Sequence, residues 1–332
     1  NKQAWKVSIE EIQARNYNLD IKNPNAPVVA QHAPKDLLKT YLEKQQKIKL
    51  HLKKIQEFIN KNFSGIHIDE KDDLTVIADN LQDFINVPNG IDILEKTILE
   101  YASKGKLSHQ DPKDGTGSEL YEKIQIEKSE QEKVLKNRKR KAKYNTLINT
   151  GDTPFIIPES WKWTRLGDLG HTETGSTPRQ TGNRFSAGTI PFVRPDNINS
   201  LTVSKIKDFL TEDDLKNGGT LIPKGSLLMV CIGTIGKAGV VSQDVSFNQQ
   251  INAIHPYSGV LADYLLYTSA SRYFQERAWK LSSKTTLSIL NKSKWESIPI
   301  PLPPFAEQKR IVKKVEEAMI LINHLKQVIE EK

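Results

Sequence analysis

"SIPIPLPPFAEQKRIVKKVEE", Ser297–Glu317, joins two kinds of structure without a linker. Ile298, Ile300 and Leu302 alternate with Pro299, Pro301 and Pro303, so the tract predicts a short strand at a sheet edge, where proline is tolerated. Pro303 and Pro304 end it, and proline's fixed φ suits the first turn of a helix. Glu307 then falls where a carboxylate favours a helix N-terminus. From Ile311 the helix carries a seam, Ile311, Val315, Ala318, Ile322, Leu325 and Ile329, stepping by four and three. The tract therefore reads as a rigid joint between a folded domain and a coiled-coil-like helix.

Working back from this joint, residues 151–302 have short β-prone runs: "TIPFV", "GSLLMVCIG", "AGVVS", "INAIHP" and "SIPIPL". Helices are expected at 211–216 and 261–280. This predicts an α+β domain of about 150 residues. Upstream the chain reads as helical. Ser8 caps a helix reaching Arg15, and "NPNAP" breaks it. A second helix runs from Pro34 to about Asn60, with Leu38, Leu42, Gln45, Ile48, Leu52, Ile55 and Ile59 on one stripe. After a polar joint at 64–73, a helical region at 74–107 is interrupted at Val87–Gly90 and ends near Gly105. Thr116 and Glu119 form a capping box that opens a long helix reaching about Lys143. Its final eleven residues, "KVLKNRKRKAK", include seven basic ones; a solvated helix end and a phosphate contact both fit. The expected parts are thus 1–63, 64–150, 151–302 and 303–332: one mixed α/β domain flanked by long helices.

The 332 residues carry a net charge of +8, which favours a polyanionic partner. Apolar content is 37% and no run suits a membrane span. The single Cys231 excludes a disulfide framework and fits a reducing cytoplasm. No catalytic motif emerges. "NPNA" lacks the second proline and aromatic of an adenine-methyltransferase loop, and "IGTIGKAG" reads as a glycine-rich turn between strands rather than a cofactor loop. Cys231 reads as a buried thiol. The seven histidines show no metal-ligand spacing, and no cofactor is expected. The chain is therefore expected not to be an enzyme.

What remains is a set of polar loops suited to reading DNA. "TGSTPRQTGNRF" offers Ser176, Thr177, Arg179, Gln180, Asn183 and Arg184. Further candidates are Arg194 and Asn197, Thr234 and Lys237, Asn248 and Gln249, and Lys284, Thr285 and Thr286.

These features, in order, resemble the specificity subunit of type I restriction-modification systems: "PNGIDILEKTILEYASKGKLSHQDP", "IPESWKWTRLGDLG", "TGSTPRQTG", "IGTIGKAGVV" with "FNQQINAI", and "KTTLSILNKSKWESIPIPLPPFAEQKRIV". Residues 1–63 resemble instead the C-terminal tail of that system's modification (methyltransferase) subunit. The resemblance implies a non-catalytic protein that binds double-stranded DNA and directs modification and restriction subunits to it. The usual subunit has two recognition domains; here one fits. A half-subunit could homodimerise, its 311–329 seam packing on the 118–143 helix of a second copy, and so read a bipartite target. A structural assembly module without sequence readout is the alternative.

Overall fold

The computed structural model describes residues 6–19, 34–63, 73–134, 148, 150–178, 188–199, 201–284 and 287–330. The chain divides into two units, Asn1–Ile48 and Lys49–Lys332. The first holds helix α1 (Ile9–Ala14) and the start of α2 (Pro34–Phe63). Ser8 caps α1 as expected, its hydroxyl accepting from Glu11 N at 3.2 Å. Leu38 and Leu42 on the α2 stripe are exposed.

In the second unit Leu52, Ile55 and Ile59 of α2 are buried. The helical region resolves into α3 (Asp73–Asp79), α4 (Leu81–Phe84) and α5 (Gly90–Ser103). Gly105, at φ +73°, ends it. The capping box forms, with Glu119 N donating to Thr116 Oγ1 (3.1 Å) and Thr116 N to Glu119 Oε2 (2.9 Å), and opens α6 (Gly117–Val134). The basic run from residue 135 on lies outside the described residues.

The α+β fold is as the sequence reads. In chain order come β1 (Lys162–Arg165), β2 (Gly170–Thr174), β3 (Ile190–Val193), β4 (Ile198–Asn199), β5 (Thr202–Val203), β6 (Asp208–Leu210), α7 (Glu212–Lys216), β7 (Leu221–Ile222), β8 (Leu227–Val230), β9 (Ala238–Val240), β10 (Val245–Phe247) and β11 (Ile251–Pro256). Then follow α8 (Ala262–Ala270), α9 (Arg272–Leu281), β12 (Ser283–Lys284), β13 (Ser288–Ile289), α10 (Lys292–Glu296), β14 (Pro299–Leu302) and α11 (Phe305–Glu330). The single helix expected over 261–280 is broken at Ser271, whose extended backbone and hydroxyl cap α9. Two four-stranded sheets, ordered β6-β3-β10-β7 and β2-β11-β8-β9, share a core that includes Val193, Leu228, Val230, Phe247 and Ile251.

The joint is a two-stranded antiparallel ribbon in which Trp163 faces Pro301 and Arg165 faces Pro299. The carbonyls of Pro299 and Pro301 accept from the Tyr273 hydroxyl (3.0 Å) and the Tyr264 hydroxyl (2.6 Å). Two buried phenols thus take the role of ladder donors, which explains how a proline strand can lie wholly inside. Burial holds both phenols well above their ordinary pKa. Pro304 O accepts the first helical bond of α11, from Gln308 N (3.0 Å).

Glu307 does not face solvent at the helix terminus. Its carboxylate is buried and accepts from Ser108 Oγ (2.7 Å), Gln110 Nε2 (2.6 Å) and Trp161 Nε1 (2.8 Å). Gln308 beside it is also buried, accepting from Leu261 N (2.9 Å) and donating to the carbonyls of Gly259 and Pro303. Glu307 and Gln308 are therefore a pair of buried polar side chains, held by the loops around the helix root.

The seam requires a correction. Ile311, Val315, Ala318, Ile322 and Leu325 are buried within this chain, where α11 packs against α5 and α8. Lys326 Nζ bonds Glu95 Oε2 (2.7 Å) and Asp92 Oδ1 (2.9 Å), fastening α11 to α5. The seam is thus covered by the chain's own apolar helices and is not open to a second copy. Ile329 is 36% exposed, and Val328 takes the last buried place.

Candidate nucleic-acid interface

The register of the sheets decides where the polar loops go. Thr174 faces Asn252 and Val230 faces Ile251, so the ends of β2 and β8 meet the start of β11. The segments after β2 and β8, and the turn before β11, therefore emerge at one end of the sheet. In the other sheet β3 runs parallel to β10, with Val193 beside Phe247, so the 194–197 turn leaves at that end too. Backbone bonds join the loops: Ser176 N to Phe247 O (2.9 Å), Asn248 N to Val193 O (3.1 Å) and Gly233 N to Ser288 O (3.0 Å). The last ties the β12–β13 hairpin to the turn that follows β8.

Within this cluster the candidates divide into two groups. Thr177, Thr234, Lys237 and Gln249 are exposed. Thr177 Oγ1 donates to Gln249 Oε1 (2.6 Å), linking two loops and leaving the Gln249 amide nitrogen for other acceptors. Ser176 is half-buried, its hydroxyl donating to Gly218 O and meeting Thr220 Oγ1 at 2.9 Å.

Three candidates bond within their own turns or to the strand beside them. Asn248 is buried, and its side chain bonds Gln250 Oε1 (3.0 Å) and Gln250 N (3.1 Å). Asn197 bonds Arg194 N (2.8 Å) and Lys205 O (2.9 Å). The Arg194 guanidinium donates to Asp208 Oδ2 and lies 5.3 Å from the Phe192 ring centroid. All three help to hold their turns in shape; Asn248 is enclosed, whereas the Arg194 side chain stays 41% exposed beside its ion pair. Lys284 lies on β12, but its side chain, and Arg179, Gln180, Asn183, Arg184, Thr285 and Thr286, lie outside the described residues.

The "IGTIG" segment is the glycine turn between two strands that the sequence suggests, joining β8 to β9. Gly233 and Gly236 have φ of +83° and +101°. A residue that sequence reading misses holds it: Gln275 of α9 donates from Nε2 to Gly236 O (3.0 Å) and to Ser269 O (2.7 Å). A Cβ on Gly236 would lie 2.0 Å from Gln275 Oε1. The two residues stand 39 positions apart, so no local pattern connects them.

Cys231 is buried, and burial pushes its thiol up to about 12, which removes it as a nucleophile. Among the described residues no group of three or more His, Cys, Asp or Glu could hold a metal, and no helix is long and apolar enough to cross a membrane.

A family model described as the type I restriction modification DNA specificity domain matches residues 158–331, just over half the chain. The chain belongs to this family. The matched specificity domain takes in all five loops of the cluster and the whole of α11. Over 249 residues, 72% of its length, the chain is 27% identical to the type I restriction enzyme EcoAI specificity subunit of Escherichia coli, covering 41% of that protein. A 48-residue stretch, 14% of the chain, is 52% identical to the type I restriction enzyme EcoEI methylase subunit of Escherichia coli, covering 10% of it. Against the crystal structure of the HsdS subunit from Thermoanaerobacter tengcongensis, the chain is 16% identical with a TM-score of 0.44, over 86% of this chain and 65% of that one. The chain spans about two fifths of the length of the specificity subunits it matches.

Proposed function

We propose that this chain is the DNA-reading component of a type I restriction-modification system, selecting a duplex sequence and bringing methyltransferase and restriction subunits to it without chemistry of its own. One observation carries this reading. Loops from five separate stretches of the specificity domain meet at one end of its sheets and present Thr177, Thr234, Lys237 and Gln249 there, exposed. Glutamine and threonine suit base edges and lysine suits phosphate, while Arg194, Asn197 and Asn248 bond within the domain and help keep the loops in shape. The methylase-like stretch supports a modification subunit as partner.

Two copies would read a bipartite target. Because the α11 seam is covered within the chain, the copies would join through other faces, and the solution mass tests that part separately. Recognition itself is tested by selection from a random duplex library at low salt. An enriched motif is the expected result. Salt-sensitive binding without enrichment would instead favour an assembly module with no readout.

A further inference from the structure

α6 leaves the domain with little apolar support. Ile124 is its one fully buried apolar side chain among the described residues, and Ile126 is exposed. Yet the helix lies along β1 and is bonded to the segments on either side of that strand. At the near end Gly117 N donates to Ser160 O (2.7 Å), and Gly117 sits hard against Leu302 O of the ribbon. At the far end, eleven residues or about 16 Å on, Lys128 Nζ bonds Asp168 Oδ1 at 2.9 Å. Tyr121 Oη donates to Asp168 Oδ2 (3.4 Å), and Gln125 Nε2 reaches Asp168 O (3.5 Å). Tyr121, Gln125 and Lys128 are spaced by four and three, so they form one face of the helix and converge on one residue.

The Asp168 side chain is 1% exposed, whereas that of Lys128 is 20% exposed. A carboxylate taken so far from water is stable only with its partners in place, so each geometry of α6 that loses them is disfavoured. A few exposed apolar contacts would allow the helix to swing; a buried, directional charge contact does not.

We propose that Asp168 is a positioning residue: by accepting Lys128 and Tyr121 it fixes the direction in which α6 leaves the DNA-reading domain. The consequence for DNA, a fixed geometry between the reading face and whatever α6 joins, rests on the proposed function; the lock itself does not.

The test uses double electron–electron resonance on the full chain. Spin labels go on Glu130→Cys in α6 and Gln243→Cys in the loop after β9, both exposed, while the native Cys231 is buried and leaves labelling selective. The parent protein should give one narrow distance peak, lost in Asp168→Asn and in Lys128→Met and regained in Lys128→Arg. Lys128→Met keeps a long side chain and leaves the domain core intact, so it serves if Asp168→Asn does not fold. A peak as narrow in Lys128→Met as in the parent overturns the lock. Duplex selection on the same proteins separates the two claims. A parent that enriches no motif refutes the functional reading while the distance measurement still decides the lock.

Discussion

Replacing Gly117 with alanine sets two effects against each other. Helix propensity favours alanine over glycine by at most about 1 kcal/mol. The tertiary structure opposes it, because a Cβ at Gly117 would stand 2.1 Å from Leu302 O and 2.9 Å from Lys162 N, both backbone atoms that no rotamer change can move. The helix start or the ribbon must shift by about 1 Å to restore ordinary contact, and overpacking of this kind costs about 1–3 kcal/mol. The shift also strains the Gly117 N to Ser160 O bond and the contacts of α6 further along. Net destabilisation of about 1–2 kcal/mol is expected, lowering the melting temperature by about 2–8 °C. Gly151→Ala is the control: nothing lies within 4 Å of its Cβ position, so the same change there should be neutral or stabilise by up to about 1 kcal/mol. Urea unfolding of both variants, followed by tryptophan fluorescence, reads the difference. A Gly117→Ala protein at least as stable as the parent would refute the close approach of α6 to the ribbon.

Trp161→Phe keeps an aromatic, smaller side chain but removes the indole donor to buried Glu307, and should cost about 1–3 kcal/mol in urea unfolding; an unchanged midpoint would mean that bond contributes nothing. The His255 imidazole is held below its ordinary pKa chiefly by burial and next by His171, with Glu127 acting in the opposite sense. A lowered folded pKa means the unfolded chain binds the proton more readily, so this stability is present above pH 6.5 and is lost as pH falls through the folded value. Measured stability should decline over that acid window, and His255→Asn should flatten the decline; an identical slope in the variant would exclude His255 as its source. Lys237→Ala should weaken duplex binding evenly across sequences and reduce the salt slope by about one, whereas a change of preferred motif would assign Lys237 to a base. Native protein should leave Cys231 unmodified by thiol reagents at pH 8, since burial both covers the thiol and pushes it up to about 12.

The sequence by itself determined what depends on neighbours along the chain. The Ser8 cap, the Thr116–Glu119 box, the glycine turn at 233–236, the proline strand and the α11 seam all arise from spacings of two, three or four residues. Such spacings act through local geometry and need no fold to be read. Tertiary structure decided which partner each element received. Periodicity marked Ile311 to Leu325 as a buried stripe, but a stripe is the same whether a second copy or α5 covers it. Glu307 had the position of a helix-terminus carboxylate, and only the approach of Trp161, Ser108 and Gln110 made it a buried hub. The loop residues were legible as polar and short, but their direction was not. Asn248 and Gln249 are adjacent and chemically alike, yet one is enclosed by its turn and the other faces solvent. Long-range register placed the loops at one end of the domain, and hydrogen bonding within the turns decided that Asn248 is enclosed there while Gln249 is exposed.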